Sequence, residues 1–413
     1  MLIKNIKSLL QVRTAADPLR GKELSTLPRI DNAYIHIVDD LIHDFGSMDK
    51  CPAVSSWSKT IDARGQYVMP CWVDSHTHLV FAESREEEFE MRIMGKSYEE
   101  IAEAGGGILN SAKKLRHTSE EALFESARER LKKLISLGTG AIEIKSGYGL
   151  DPDSEIKMLR VIKALKEVSP IPIKSTFLGA HAYPAQFKDD HKTYIHQLIY
   201  EMLPRIAKEE LADYIDVFCE KVAFDAEESR KIIKAGKEYG LKAKVHTNQF
   251  NSMGGIEMCI EEGALSVDHL EVVNEREAAW LGKSEIIATL LPSAPFFLND
   301  PYQPARRLID SGAAVALASD FNPGSSPSGN MNLVVALACI KLGMSPEEAI
   351  NAATINGAFA LELTNKVGEI EAGKLANLII TKEIPSLAYL PYSFGENHID
   401  QVIINGKEYH HAA

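Results

Sequence analysis

The sequence predicts a (β/α)₈ barrel of the TIM type, carrying a small β-sandwich domain formed by both termini. Three observations predict it. From about residue 67, short β-branched runs alternate with amphipathic helical segments, the pattern of βα units around a parallel sheet. Eight such runs fit within about 250 residues, the count and size of one barrel. Both ends of the chain are β-rich and broken by polar turns, so they pair most economically with each other.

Taken in order, MLIKNIKSLL, AYIHIVDDLIHDF and KTIDARGQYVMP are the early strand-like runs. The barrel strands follow: YVMPCWVDSH, TGAIEIKS, IPIKSTFLGAH, YIDVFCE, KAKVHTN, ALSVDHL, IIATLLP and AAVALASD. Between the first two lies the helix TSEEALFESARERLKKLISLG, whose Thr118-Ser119-Glu120-Glu121 start carries an N-terminal capping signal. DPDSEIKMLRVIKALKEV, HKTYIHQLIYEMLPRIAKEE, DAEESRKIIKAGKEYG, GGIEMCIEEG, NEREAAWLGK and PARRLIDSG separate the rest. Beyond about residue 365 the chain is β-like again, with Asn405-Gly406 as a hairpin signal. The expected division is a composite β domain, 1–66 with 365–413, around a barrel, 67–364. A doubly wound open sheet is the structural rival, but its first strand would run into a glycine fingerprint. Here the first strand runs into histidines.

The composition narrows the class. With 413 residues and 45% hydrophobic content the chain can bury a sizeable core. A net charge of -13 argues against binding to nucleic-acid backbones. Cys51, Cys71, Cys219, Cys259 and Cys339 are odd in number and form no CxxC pair, which reads as free thiols in a reducing compartment. No secretory signal and no run of about 18 apolar residues is visible, so no membrane partner is expected and the cytoplasm is the expected location. A homodimer is the expectation from frequency alone.

Catalytic groups of such barrels sit at the C-terminal strand ends. The first strand ends in His76 and His78, which face the same way because strand side chains alternate. The third ends at His181, the fifth at His246, the sixth at Asp268-His269 and the eighth at Asp320. A lone histidine at a strand end is ordinarily structural. HxH combined with histidines on strands five and six and an aspartate on strand eight is far more specific for a metal site. The set suits one divalent or trivalent transition metal, zinc ahead of iron, with manganese and cobalt also compatible. Such a site activates water at neutral pH, the chemistry of amide, ester or amidine hydrolysis. Lys221, after strand four, could be carbamylated to bridge a second metal, but a solvated lysine is the simpler expectation, and Lys145 is given the same default.

HxH, His, His and Asp on a barrel with a split β domain resembles the amidohydrolase superfamily. DSHTHLVFAESREEEFEMR, EAGGGI, KSGYGL, FLGAHAYP, SVDHLE and DFNPGSSPSGN narrow the resemblance to its imidazolonepropionase family. That resemblance implies hydrolysis of 4-imidazolone-5-propanoate to N-formimidoyl-L-glutamate in histidine degradation. It implies metal ligands His76, His78, His246 and Asp320, and Arg85 as the anchor for the substrate carboxylate, a task suited to a bidentate guanidinium. The bland alternative for Arg85 is pairing with Glu86 to Glu88. Tyr148 and His181 would contact substrate, and Asn322, Gly324 and Ser325 would offer polar groups to the ring or product. EAGGGI, which lacks a GK[ST] ending, reads as an active-site loop and not a phosphate cradle. Many family members carry glutamate where this chain has Gln249, and a neutral amide cannot act as a base. Asp320 or His269 must then serve, with Asp320 expected to take the proton of water and His269 to polarise the carbonyl. Asp268 and Glu271 are the expected orienting groups for that imidazole. A deaminase of a cyclic amidine, a hydrolase of another lactam, and a non-catalytic binding protein are the competing readings.

Overall fold

The structure is a computed structural model that describes residues 1–53, 59–96, 100 and 106–410. Its first strands are β1 (Leu2–Leu10), β2 (Arg29–Val38), β3 (Leu41–Ser47), β4 (Thr60–Asp62) and β5 (Tyr67–Pro70). The barrel strands follow: β6 (Trp72–Asp74), β7 (Thr139–Lys145), β8 (Ile173–Ala180), β9 (Tyr214–Cys219), β10 (Lys242–Thr247), β11 (Ser266–His269), β12 (Ile287–Leu290) and β13 (Ala314–Leu317). The chain ends in β14 (Leu378–Thr381), β15 (Ile399–Ile404) and β16 (Lys407–Glu408).

Strands β6 to β13 are neighbours in sequence order, and every pair between them is parallel. The Thr77–Phe321 bridge joins the first strand's extension to the last, so the barrel closes. All eight expected strands are present. The two ends of the chain share a second sheet, ordered β16-β15-β14-β5-β1-β2-β3, with β4 also beside β1. It carries its own apolar core, including Ile3, Ile6, Leu9, Ile35, Leu378 and Ile403.

One expected boundary moves. The run YVMPCWVD reads as one barrel strand, but it serves two sheets. Met69 pairs with Ile379 of β14, whereas Trp72 pairs with Thr139 of β7. The switch occurs at Cys71, whose N–H donates to Asn377 O at 2.9 Å, while that of Trp72 donates to Gly138 O at 2.9 Å. Both halves are buried on both faces, so no alternation marks the crossing. Tyr67–Pro70 therefore belongs to the terminal sheet, outside the barrel range that begins at 67.

The expected helices form, several with capped N-termini. Ser119 accepts from Ala122 N at the start of Glu120–Ser136, and Asp151 accepts from Ser154 N before Pro152–Val168. Unanticipated helices occupy Glu86–Ile93 and Ile108–His117 after β6, and Met331–Leu342, Pro346–Ala353 and Ile355–Ala360 after β13. Met331–Leu342 is apolar around most of its circumference and largely buried, so it lacks the amphipathic stripe that betrays a surface helix.

Asn356 joins the N-terminal segment to the barrel. Its amide donates to Leu19 O at 2.9 Å and Val315 O at 2.8 Å, and its carbonyl accepts from Leu19 N at 2.8 Å, all buried. Asn356→Leu strands these groups and should cost about 1–3 kcal/mol in urea unfolding. A loss below about 0.5 kcal/mol, typical of an inert surface change, would show that the bridge contributes nothing.

Candidate metal centre and active site

The seam of the barrel builds the centre. Asp320 N donates to His76 O at 3.0 Å, and His78 N donates to Phe321 O at 2.9 Å. Asp74, two residues before His76, accepts from Ser319 N at 2.9 Å and Ser319 Oγ at 2.6 Å. These bonds set the first strand's histidines beside the last strand's aspartate. Asp320 Oδ1 then lies 3.5 Å from both His76 Nε2 and His78 Nε2. From β10, His246 brings its Nε2 to 3.3 Å from His78 Nε2.

Each of two imidazoles is backed by a buried carboxylate. His76 Nδ1 lies 2.7 Å from Asp268 Oδ2, and His246 Nδ1 lies 2.9 Å from Asp216 Oδ2, the latter off the axis of a good hydrogen bond. This assigns the proton of His76 to Nδ1 and turns its Nε2 lone pair toward the centre. Burial, reinforced by Lys145 and the neighbouring imidazoles, pushes His76 and His246 well below the usual histidine range; burial and the neighbouring imidazoles and Lys145 do the same to His78. They are neutral, the state a metal ligand requires.

A metal fits this donor set. His76 Nε2 is buried and has no hydrogen-bond partner among the described residues, which is costly unless something else engages it. His78 and His246 face each other nitrogen to nitrogen. Separations of 3.3 to 3.5 Å match donors each about 2.0–2.2 Å from one tetrahedral ion. Two overlapping trios, His76 with His78 and Asp320, and His76 with His246 and His269, have donor atoms within 4.8 Å of one another.

His269 differs from the other imidazoles. Its Nδ1 lies 3.4 Å from Glu271 Oε1, which in turn accepts from Gln303 Nε2 at 2.8 Å. Burial opposes the imidazolium, but Glu271, with Asp320 and Asp268 adding to it, outweighs burial and raises His269 to about 9. Burial raises Asp320 to about 6, against the pull of His269 and hydrogen bonds from Asn322 and Ser325. Both residues have left-handed backbones, φ +86° at His269 and +54° at Asp320. Non-glycine residues avoid that region at a cost of order 1–3 kcal/mol, so the surrounding structure holds them there. The turn at His269 also separates it from Asp268. Asp268 therefore orients His76, and only Glu271 reaches His269, a correction to the expectation that both serve one imidazole.

These groups face a cavity of about 580 Å³ that also holds Arg85, Tyr148, His181, Gln249, Asn322, Gly324 and Ser325. Arg85 donates Nε to Ser111 Oγ at 2.8 Å and lies over the Tyr148 ring at 5.8 Å. Its Nε is 3.9 Å from Glu88 Oε1, so the acidic run is a neighbour and does not divert the side chain to the surface. A Cβ on Gly324 would meet Arg85 Nη1 at 2.4 Å, so glycine is what lets the guanidinium lie there. His181 Nδ1 lies 3.0 Å from Gly147 O, and burial lowers it to about 4. Its neutral ring thus presents an accepting Nε2. Asn322 is mostly occupied with its own loop: its Nδ2 donates to Asp320 O at 2.6 Å, and its Oδ1 accepts from Gly324 N and Ser325 N at 2.8 Å. Ser325 Oγ donates to Asp320 Oδ2 at 3.2 Å. Of EAGGGI, the first three residues lie outside the described residues, while Gly107 and Ile108 line the cavity.

Lys221 is exposed, as expected. Lys145 is not. It is fully buried, with Nζ 2.8 Å from both Glu143 Oε1 and Asp216 Oδ2. The solvated default failed because it ignored alternation: Lys145 is two residues from Glu143 on one strand, as Lys244 is from His246 on another, so these charges face the interior with the ligand. A charged residue at an inward position of an otherwise apolar strand was the available signal for Glu143, Lys145, Asp216 and Lys244.

The model of the amidohydrolase family matches residues 67–409. Imidazolonepropionase of Christiangramia forsetii is 55% identical over 408 residues, covering 98% of this chain and 99% of its own. That of Flavobacterium johnsoniae is 56% identical over 407 residues, with 98% and 99% covered. Among solved structures, 5-methylcytosine deaminase from Klebsiella pneumoniae matches with a TM-score of 0.75 at 17% identity, covering 100% of this chain and 98% of that one. A triazine hydrolase variant also gives 0.75 at 17% identity, with 98% and 94% covered. At such identities the structural matches establish the fold alone.

The His269–Glu271 pair has a signature in the metal-free protein. The folded value of about 9 exceeds the unfolded value of about 6.5, so its stabilisation is complete below about pH 6.5 and is lost as pH rises through 9. The stability advantage of wild type over Glu271→Gln should shrink between pH 6.5 and 9.5 in urea unfolding. An advantage that is flat or grows with pH would contradict the pairing.

Proposed function

The chain belongs to the amidohydrolase family and, within it, to the imidazolonepropionases, and from that premise we propose how its own residues hydrolyse 4-imidazolone-5-propanoate to N-formimidoyl-L-glutamate. The observation that carries the reading is the pairing, in one cavity, of a cluster of side chains able to ligate a metal with the anchored guanidinium of Arg85. His76, His78, His246 and Asp320 would hold the metal. Three imidazoles and one carboxylate favour zinc, with iron the alternative. When bound, the metal lowers the pKa of a water to about 7 and polarises a carbonyl.

Arg85 grips the propionate, with Tyr148 packed against it. The phenol, held protonated by burial, remains a hydrogen-bond donor. His181, neutral, accepts from a ring N–H, and Gln249 supports the ring by its amide. Asp320, whose carboxyl is raised toward neutrality, takes the proton of the attacking water. His269 is the more basic group and is protonated at pH 7, so it has no lone pair for that task. It donates to the carbonyl oxygen and stabilises the negative charge that develops there. The water oxygen bonds to the ring carbonyl carbon, the ring amide C–N bond breaks, and Asp320 returns its proton to the leaving nitrogen. Ser325, hydrogen-bonded to Asp320 Oδ2, keeps the carboxylate aimed. Five free thiols support a cytoplasmic location. The homodimer rests on frequency alone.

The metal-loaded enzyme should consume 4-imidazolone-5-propanoate, read as loss of ring ultraviolet absorbance without ammonia release. Asp320→Asn should lower kcat by about 10²–10⁴-fold, and Gln249→Ala should cost much less than His269→Ala. Near-normal turnover by Asp320→Asn, or ammonia release from a heterocyclic amine in place of ring opening, would refute the reading. Gly324→Ala should displace the end of Arg85, raising KM with kcat and thermal stability little changed. An unaltered KM would remove Arg85 as the anchor.

A further inference from the structure

Beneath the proposed ligands lies a group of buried charges that the reaction itself does not use. Glu143, Lys145, Asp216, Lys244 and Asp268 are all fully buried. Buried ion pairs are poor stability devices, because desolvation of both partners offsets their attraction. Their arrangement here is tied to the centre. The Oδ2 of Asp216 lies 2.8 Å from Lys145 Nζ and 2.9 Å from His246 Nδ1. The Oδ2 of Asp268 lies 3.7 Å from the same Nζ and 2.7 Å from His76 Nδ1. Lys145 thus stands between the carboxylates that back two ligands from different strands.

We propose that Lys145 is a positioning residue for the metal centre: its ammonium bridges Asp216 and Asp268 and so holds the imidazoles of His246 and His76 in ligating orientation. Among the described residues no other lysine or arginine comes within 4.0 Å of either aspartate. Lys244 is engaged elsewhere, 3.1 Å from Glu143 Oε2 and donating to Ser75 O at 3.1 Å. A compact ammonium suits the place, because it donates N–H groups to Glu143 and Asp216 at 2.8 Å while its charge stays within ion-pairing distance of Asp268 at 3.7 Å. Without it, Asp216 and Asp268 are neighbouring anions in a dry interior with no shared cation. Each then turns toward other donors, and the two imidazoles lose their common reference. The inference rests on the metal-centre reading above.

The test compares wild type, Lys145→Met and the double variant Glu143→Gln/Lys145→Met, each stripped of metal and titrated with Zn²⁺ against a chromogenic chelator at one pH. The double variant removes one charge of each sign, preserves the net buried charge and guards against a simple folding failure. Loss of a ligand-orienting partner weakens metal affinity by about 10–100-fold. Lys145→Met should lose about tenfold or more, while KM at saturating Zn²⁺ stays near wild type. The double variant should recover thermal stability without recovering affinity. Wild-type Zn²⁺ affinity in either variant would overturn the bridging role while leaving the centre intact. Failure of wild type to take up Zn²⁺ would overturn the centre and this inference together.

Discussion

Everything at the mouth of this barrel depends on two backbone hydrogen bonds across its seam, from Asp320 N to His76 O and from His78 N to Phe321 O. They lie where the first and last parallel strands meet, 243 residues apart at the nearer pair (321 less 78). A ladder bond fixes two backbones to within a few tenths of an ångström, and side chains inherit that placement. Alternation then turns His76 and His78 to the same side, and the left-handed turn at Asp320 swings its carboxylate over both. Barrel closure and ligand assembly are one event. A chain that failed to close would have neither core nor centre.

Burial then sorts the titratable groups by what each has beside it. His76, His78 and His246 become neutral because desolvation dominates. His269, equally buried, goes the other way because Glu271 faces it. Asp320 rises because desolvation outweighs its cationic and hydrogen-bonding neighbours. Identical side chains thus take different protonation states within a few ångströms, neutral in one case and proton-bearing in the other. The Asn322 loop complements this sorting. Its amide closes the turn after Asp320, Ser325 holds the far carboxylate oxygen, and Gly324 leaves room for Arg85.

The fold was largely legible because barrel strands and amphipathic helices carry different periods. The strand ends were legible too, since counting strands predicts where candidate site residues fall, and His76, His78, His246, His269 and Asp320 lie there. Three things were hidden, for physical reasons. The passage of YVMPCWVD between two sheets leaves no mark, because both halves are buried on both faces. The turn that parts Asp268 from His269 is a backbone conformation that neither residue type announces. The buried charges Glu143, Lys145, Asp216 and Lys244 look like ordinary surface residues until the alternation is counted back from the ligands. The helix Met331–Leu342 was missed for the opposite cause, having no polar face to set its period.

Closure of one barrel seam would bring four side chains from three strands around a single ion. A crystal structure of the zinc-loaded enzyme, with the ion located by anomalous scattering, tests it most directly. One ion is expected within about 2.3 Å of Nε2 of His76, His78 and His246 and of one oxygen of Asp320. An ion held elsewhere in the barrel, or one that leaves Asp320 or either histidine of the first strand beyond bonding distance, would contradict it.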